Sequence, residues 1–572
     1  MWINQFHSFL ISPLTKTPRS RLNFWFNLSL IFASIYAILS LKQAFEQPNL
    51  VQDDARQHVS WMLRFVDNNL FPNDLIADYF QSVAPAGYTT VYRIAAFIGI
   101  NPLVFCRIVP VILTLISTVY FFWFCLELLP IPLTGFVGSL LLNQVMWLKD
   151  DLASGTPRAF IYPIFIAFLY YLARQSILGT GISMILIGLF YPQYIFVASG
   201  MLILRIIYKP SLSNIKISLT GLVTAFIIIL AYAMKTSDFG PAITRAEAMQ
   251  SLEFFPNGRS MFFHANPLDF WLTGRRSGMF PKSLLTPVTQ CLGLLLPVFI
   301  AIRSTFTLAH SITVKIWILI QLLISAVTMF FIAHGMLFRL HLPSRYTGLS
   351  LRLIITTATA ISIVILIDFI LIKLASWKST KLSLFQFLKS SLSIGLMGVI
   401  LASLLFYPSW VPFFPLVKYK EGEAVEVYRF FQQQPKDIMI ASLSGEVNQI
   451  PTFAKRSILV GREYMIPYQV GYYRQMNQRL VDLMNAHYSP NFQEVKEFIQ
   501  TYDIDFFLME RYAFTPDYFE NNDWMLEFEA GQQAIQQLKA GTIPGLLTTI
   551  DQCSAFENQI WIVLDANCLL KL

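Results

Sequence analysis

Eleven apolar runs constrain the fold of this 572-residue chain more than any other feature. The first extends from Leu22 to Leu41, about 20 residues, which is enough for an α-helix to cross the hydrocarbon core of a bilayer. Charged residues make up 13% of the chain, roughly half the fraction usual in a soluble protein. The sequence therefore predicts a polytopic α-helical membrane protein with about 11 transmembrane helices. The other runs lie near 102–128, 132–148, 159–173, 177–190, 192–207, 217–234, 286–302, 312–333, 350–373 and 391–408.

The distribution of charge predicts how these spans are oriented. If the N-terminus is cytoplasmic, the inner loops contain basic residues and no acidic ones, as the positive-inside rule requires. These inner loops lie near 174–176, 205–216, 303–315 and 373–389. The external segments are then 42–101, 149–158, 235–285 and 334–349, together with the C-terminal part of the chain. The first of them is expected to be a long loop of short amphipathic helices at the membrane interface rather than another span. We expect a bacterial inner (plasma) membrane protein with this orientation.

The C-terminal 409–572 segment differs from the rest in its charge and in its pattern of apolar residues. It holds 13 Lys+Arg and 20 Asp+Glu, whereas residues 1–408 hold 29 and 14. Short strands near 437–441, 457–460, 504–508 and 560–564 alternate with helices, which predicts a soluble, extracytoplasmic α/β domain. The net charge of +8 therefore follows from the membrane part, and nucleic acid is not an expected partner. Cys553 and Cys568 could form a disulfide in an oxidising compartment or remain free thiols.

The external segments concentrate ionisable residues at the membrane surface, where such residues usually mark a pathway or a site. Asp53 and Asp54 open the first segment, and Arg56 and His58 follow them. A carboxylate can take a proton from an acceptor hydroxyl or hold a divalent cation against a phosphate. Arginines bind phosphate through two parallel hydrogen bonds. Further candidates in the later segments are Asp150, Asp151, Arg158, His264, Arg276, Arg345 and Tyr346.

Each candidate also has a purely structural interpretation. An Asp-Asp pair after a span could cap the following helix, and Asp150 and Asp151 could do the same. Arg158 and Arg345 could extend to the lipid head groups without binding any substrate. His264 could be an ordinary loop histidine.

The order of these features resembles the GT-C superfamily of multispanning glycosyltransferases, which use polyprenyl-phosphate-linked sugars. The matching features are a first span, an acidic pair at the start of a long external loop, many short spans and an external C-terminal α/β domain. The Gly-Thr-Pro-Arg158 and Leu-Pro-Ser-Arg-Tyr346 segments resemble stretches of uncharacterised bacterial members. The resemblance implies that Asp53 or Asp54 is the essential acid and that transfer inverts the sugar configuration.

We predict a membrane glycosyltransferase that moves a sugar from a polyprenyl-phosphate donor to a glycan, lipid or protein acceptor outside the membrane. Asp54, or else Asp53, would be the base. Arg345, Arg158 and Tyr346 would bind the donor phosphate. A divalent cation, Mg or Mn, could be held by Asp53 or Asp54. The rival interpretations are a transporter or flippase of lipid-linked or anionic solutes, which usually shows internal repeats, and a non-catalytic assembly protein of the cell envelope.

Overall fold

The structure, a computed structural model, describes residues 2–235, 237–376, 384–520 and 522–572 and is mostly helical. Every predicted apolar run coincides with a helix, so the chain is an integral membrane protein. Lys378 and Lys381 of the predicted inner loop 373–389 lie outside the described residues. The helices are Arg19–Ala44, Pro102–Leu128, Pro132–Trp147, Pro157–Ala173, Ile177–Phe190, Tyr194–Tyr208, Leu212–Ala233, Val288–Leu295 continuing as Leu296–Ala301, Trp317–Gly335, Ser344–Ser376 and Leu384–Trp410.

Six of the described helical segments are long and apolar enough to cross a membrane individually, and four more are apolar but only 10–17 residues long. The number of spans, about 11, therefore stays a prediction. The helices differ in how much they bury. Every residue of Pro132–Trp147 is buried, whereas Phe226 and Ile227 of Leu212–Ala233 are 66% and 60% exposed. An exposed apolar face of this kind is suited to lipid, because lipid tails are as apolar as the side chains they meet.

The first external segment folds as a short strand followed by short helices. The strand Leu50–Gln52 is followed by Ala55–His58, Ser60–Phe65, Leu75–Val83 and Ala86–Phe97. The prediction of short helices is confirmed, and their position at the membrane interface stays a prediction. The strand pairs antiparallel with Tyr419–Glu421, so the start of the first external loop is hydrogen-bonded to the beginning of the C-terminal part.

The C-terminal part contains a five-stranded sheet covered by helices. In spatial order its strands are Ser457–Ile458, Met439–Ala441, Phe506–Glu510, Trp561–Asp565 and Ser554–Glu557. The first three are parallel and the last two join antiparallel. Four of them fall on the strands predicted from sequence. The prediction missed Ser554–Glu557, an edge strand, and the 19-residue helix Val470–Tyr488. The position of the boundary near residue 408 stays a prediction.

Cys553 and Cys568 form a disulfide, with their Cα atoms 5.5 Å apart. The bond joins the short helix Ile550–Cys553 to the last helix, Ala566–Lys571. It therefore fixes the C-terminal end of the chain against the edge of the sheet. Of the two alternatives that the sequence left open, the structure contains the bonded one.

Candidate functional site

Asp53 and Asp54 lie in the turn between a strand and a helix. The strand Leu50–Gln52 is held by Tyr419–Glu421, and the Asp53 amide extends the pairing by donating to the Lys418 carbonyl at 3.0 Å. The Gln52 side chain then accepts a hydrogen bond from the Asp54 amide at 2.8 Å, which closes the turn. Successive carboxylates consequently leave this turn in different directions and meet different partners.

Asp54 pairs with Arg158, and Arg158 also pairs with Asp151. One terminal nitrogen of the Arg158 guanidinium donates to Asp54, and the other donates to Asp151 at 2.9 Å. Arg158 lies in the first turn of Pro157–Ala173, and Asp151 lies in the short helix Asp150–Ala153. Gly155 joins the two helices with a φ of +58°, a conformation that favours glycine. Both carboxylates therefore flank one guanidinium at one end of the helix bundle.

Asp53 belongs to a second cluster that reaches the C-terminal part. Its carboxylate accepts from Arg56, which also pairs with Glu463 at 3.0 Å. Glu463 is shared with Arg259, at 2.5 Å. Arg56 is only 5% exposed, so these two carboxylates, rather than water, compensate its positive charge. The cluster connects two loop segments, 42–101 and 235–285, through one carboxylate of the C-terminal part.

Two cavities meet at the Asp54–Arg158 pair. The larger has a volume of about 790 Å³ and lies between the helix bundle and the C-terminal part, with Asp54, Arg276 and Glu463 in its wall. The smaller, about 570 Å³, extends along the bundle helices and is lined by Asp151, Tyr162 and Arg352 among others. Four residues line both cavities. They are Arg158, Tyr191, Arg275 and Arg345.

No protein-family model and no curated protein sequence matches the chain. Solved structures do match it. The archaeal oligosaccharyltransferase AglB from Archaeoglobus fulgidus, in complex with an inhibitory peptide and a dolichol-phosphate, is 9% identical with a TM-score of 0.52 over 90% of this chain and 72% of that chain. The chain has the GT-C fold. ArnT from Cupriavidus metallidurans is also similar, in the apo state (10% identity, TM-score 0.43, 94% and 98% covered) and bound to undecaprenyl phosphate (10%, 0.42, 94% and 97%).

Within the GT-C fold the site combines an ionised carboxylate with a neutral histidine. Burial raises the pKa of Asp54, but the Arg158, Arg345 and Arg275 cations outweigh burial and lower it to about 2. Burial lowers the pKa of His58 to about 4, and Arg158 acts in the same direction against Asp54. At neutral pH, Asp54 is therefore charged and His58 is uncharged.

The residues predicted from sequence divide between the two cavities. Asp53, Asp54, Arg56, His58 and Arg276 line the larger one, and Asp150 and Asp151 line the smaller one. Burial and the neighbouring Asp151 and Asp54 charges raise the pKa of Asp150. Arg158 and Arg345 line both cavities, which makes them the residues best placed to contact ligands on either side.

Two predicted residues lie elsewhere. Tyr346 is 1% exposed and lines neither cavity, because its hydroxyl donates to the Leu340 carbonyl at 2.8 Å inside the fold. His264 also lines neither cavity, and its ring lies beside Gly274. In this arrangement, neither side chain offers a group to a ligand in the described cavities.

Sequence reasoning did not select several residues of the site. Arg352 lies seven positions after Arg345 on the helix Ser344–Ser376 and approaches Asp151 at 3.7 Å. The spacing of two helical turns was a usable signal, since it places both arginines on one face. Arg259 and Glu463 carried no such signal. They are more than 200 positions apart and become neighbours only in the folded chain.

Asp53, Asp54 and Asp151, as they are arranged in the structure, do not form a site for a divalent cation. The part of the chain that the structure describes has no group of three or more His, Cys, Asp or Glu side chains placed to hold one. Asp54 and Asp151 face each other across the Arg158 guanidinium, and Asp53 is engaged by Arg56. The position between the carboxylates that a cation would need is therefore filled by a protein cation.

Proposed function

We propose that this protein is a membrane glycosyltransferase that transfers a sugar from a polyprenyl-phosphate donor to an acceptor on the extracytoplasmic side. The observation that carries the proposal is the Asp54–Arg158 pair at the junction of two cavities. One cavity follows the bundle helices, as a lipid-linked donor requires. The other opens towards the C-terminal part, where an acceptor can enter. The similar fold of AglB, solved with a dolichol-phosphate, supports this choice of donor.

In this proposal, Arg158 and Arg345 bind the donor phosphate from the wall that both cavities share. Guanidinium groups pair with phosphate oxygens through two hydrogen bonds and offset the charge that develops as the sugar–phosphate bond breaks. Arg352 extends the same cationic face further into the smaller cavity. The polyprenyl chain would follow the bundle helices into the bilayer.

The acceptor hydroxyl would attack the anomeric carbon directly, with inversion, and its proton would pass to Asp54. A carboxylate with a pKa of about 2 is a weak base. The pair offers a way to strengthen it. When Arg158 turns its hydrogen bonds towards the leaving phosphate, Asp54 loses its main counter-charge, so its pKa rises as the proton arrives. Polyprenyl phosphate then leaves, and Arg158 recaptures Asp54 after the proton is released to water.

The extracytoplasmic position of the site rests on two features. The disulfide between Cys553 and Cys568 is typical of an oxidising compartment. The four acid-free loops, taken as cytoplasmic under the positive-inside rule, favour the opposite side of the membrane for the site's segments. The protein would then be anchored in a bacterial inner membrane with its N-terminus in the cytoplasm.

The test is an assay of the purified protein with a panel of polyprenyl-phosphate sugars and envelope extracts as acceptors, scoring release of polyprenyl phosphate. We expect one donor to be consumed and Asp54→Asn to abolish release. Asp53→Asn is the matched control, because it changes the same charge at the neighbouring position, and it should retain a large part of the activity. Full activity in Asp54→Asn would remove the mechanism, and consumption of none of the donors would remove the function.

A further inference from the structure

The larger cavity carries more positive charge than its own carboxylates neutralise. Eight of its lining residues are lysine or arginine, and three are acidic. Asp54 pairs with Arg158, and Asp53 pairs with Arg56. The third carboxylate, that of Glu463, is shared between Arg56 and Arg259. All three acidic side chains in the wall are therefore already engaged by protein cations.

Arg275, Arg276 and Arg345 form no ion pair with any carboxylate in the described ranges. Arg276 donates one hydrogen bond to the Arg259 carbonyl, at 3.3 Å. Burial, together with the Arg275, Arg259 and Arg345 cations, lowers the pKa of Arg276. Gathering like charges in a partly buried site costs free energy unless an anion compensates them. The cavity is thus built to receive negative charge from outside the chain.

The remaining wall of the cavity is suited to a sugar. Tyr79, Phe80 and Tyr468 supply aromatic surface to this wall, and Gln193 and Gln469 supply amide side chains. The Tyr468 hydroxyl and the Gln469 carbonyl oxygen are buried without a hydrogen-bond partner in the described structure. Buried polar atoms normally have a partner, so these atoms are available to hydroxyl groups of a ligand. A volume of about 790 Å³ is within the usual range for a ligand pocket.

We infer that the acceptor bound in the larger cavity is an anionic glycan, a sugar chain whose carboxylate or phosphate group binds to Arg276 and Arg275. The inference rests on the proposed function, because it names the class of the acceptor. The donor phosphate binds at Arg158 and Arg345, and Arg276, which lines only the larger cavity, is left for the acceptor. A glycan is favoured over a lipid head group because the C-terminal part, rather than an apolar helix face, supplies the far wall.

The test measures binding before it measures transfer. The probes are an oligogalacturonide and its methyl ester, which has the same sugars without the charge, titrated into the purified full-length protein in detergent. We expect the acidic probe to bind at least about 10-fold more tightly, since 1.4 kcal/mol corresponds to tenfold and a buried charge pair is worth more than that. Binding should weaken as salt is added.

Substitutions test whether the preference for the acidic probe arises in the larger cavity. Arg276→Gln should weaken binding of the acidic probe about 10-fold, Arg276→Lys should retain most of it, and Arg511→Gln should change nothing. The Arg511→Gln substitution removes the same charge at an exposed site, where Arg511 pairs with Glu557. Equal binding of acid and ester overturns the inference even if no variant folds.

Sugar transfer separates this inference from the proposed function. Release of polyprenyl phosphate that is stimulated equally by the acid and the ester would uphold the glycosyltransferase and overturn the anionic acceptor. Selective binding of the acidic probe with no donor consumed would uphold the anion site and overturn the glycosyltransferase. Transfer to phosphatidylglycerol vesicles without transfer to the acidic glycan would overturn the acceptor class.

Discussion

The Asp54 carboxylate accepts a hydrogen bond from the Arg158 guanidinium, although 104 positions separate the two residues in the chain. The contact joins the first external loop to the end of a bundle helix at the junction of the two cavities. It lowers the pKa of Asp54 and simultaneously fills the space between two carboxylates. Most expected properties of the site follow from this pair.

Arg158→Gln should inactivate the protein and destabilise it. The substitution leaves Asp54 and Asp151, about 80% buried each, without their shared cation. Breaking such a pair costs about 3 kcal/mol. Chemical denaturation of the disulfide-intact protein would measure this loss. Adding Asp151→Asn to Arg158→Gln should recover part of the stability and none of the activity, and a double variant as active as the parent would contradict the assignment of Arg158 to the donor phosphate.

Chelation should leave activity unchanged. Because the Arg158 guanidinium lies between Asp54 and Asp151, a divalent cation would have to displace a charge-assisted ion pair. Transfer measured after extensive treatment with EDTA, and again after addition of Mg²⁺ or Mn²⁺, should give the same rate in each case. A rate that depends on the added cation would mean that a metal ion, rather than Arg158, is the counter-charge of Asp54 and Asp151 in the active form.

His58 should make the protein less stable in mildly acidic solution. Its folded-state pKa, about 4, lies below the ordinary value of 6.5, so folding favours the neutral ring. This stability is fully present above pH 6.5 and is lost as pH falls from 6.5 towards 4, at about 1.4 kcal/mol per pH unit. His58→Gln should flatten the thermal-stability profile over this range. An unchanged slope would mean that the ring remains solvated. Asp54, with its pKa lowered from 3.8 to about 2, contributes stability that is lost only below pH 3.8.

Gly155→Ala should disrupt the segment that positions Arg158. Gly155 has a φ of +58°, and a Cβ atom there would lie 2.8 Å from the Cys106 carbonyl oxygen and 2.9 Å from the Tyr92 hydroxyl. We expect a loss of about 2 kcal/mol or more in stability, since a clash with backbone adds to the unfavourable conformation. Gly335→Ala is the control, because nothing lies within 4 Å of its Cβ position. Similar unfolding curves for the two variants would contradict this account of the turn.

Removing the disulfide should destabilise the C-terminal part. Cys553 and Cys568 are 15 positions apart, and closing a loop of that length stabilises a fold by about 3 kcal/mol. The double variant Cys553→Ser/Cys568→Ser should therefore unfold at a lower denaturant concentration than the parent. Reduction with dithiothreitol should have the same effect on the parent and none on the double variant. A variant that matches the parent would show that the bond is dispensable.

The helical bundle could be predicted from sequence because apolar runs have one solution in a bilayer. Each run must satisfy its backbone hydrogen bonds internally, so it becomes a helix wherever its neighbours lie. The same local logic located four of the five strands of the sheet and the short helices of the first external loop. It did not find Val470–Tyr488, although buried Tyr472, Met476, Leu480 and Leu483 recur there at helical spacing, so this signal was present in the sequence and was missed.

The site could be predicted only as a set of candidates. Sequence predicted that Asp54, Asp151, Arg158 and Arg345 lie on one side of the membrane, since charge asymmetry favours one orientation of the loops. It could not show that the Tyr346 hydroxyl donates its hydrogen bond to the Leu340 carbonyl. It also could not find Glu463, which lies in another part of the chain. Hydrogen-bond partners are decided by distances across the fold, and those distances are absent from a linear pattern.

The sequence by itself determined that the chain is a helical membrane protein with clusters of ionisable residues in the segments between its apolar runs, because hydropathy acts locally along the chain. Only the tertiary structure decided which charges neutralise each other. It joined Asp54 to Arg158 and Arg56 to Glu463, and it left Arg275, Arg276 and Arg345 without carboxylate partners among the described residues. Electrostatic pairing falls off within a few ångströms, so the chemistry of the site was fixed only when the loops and the C-terminal part came together.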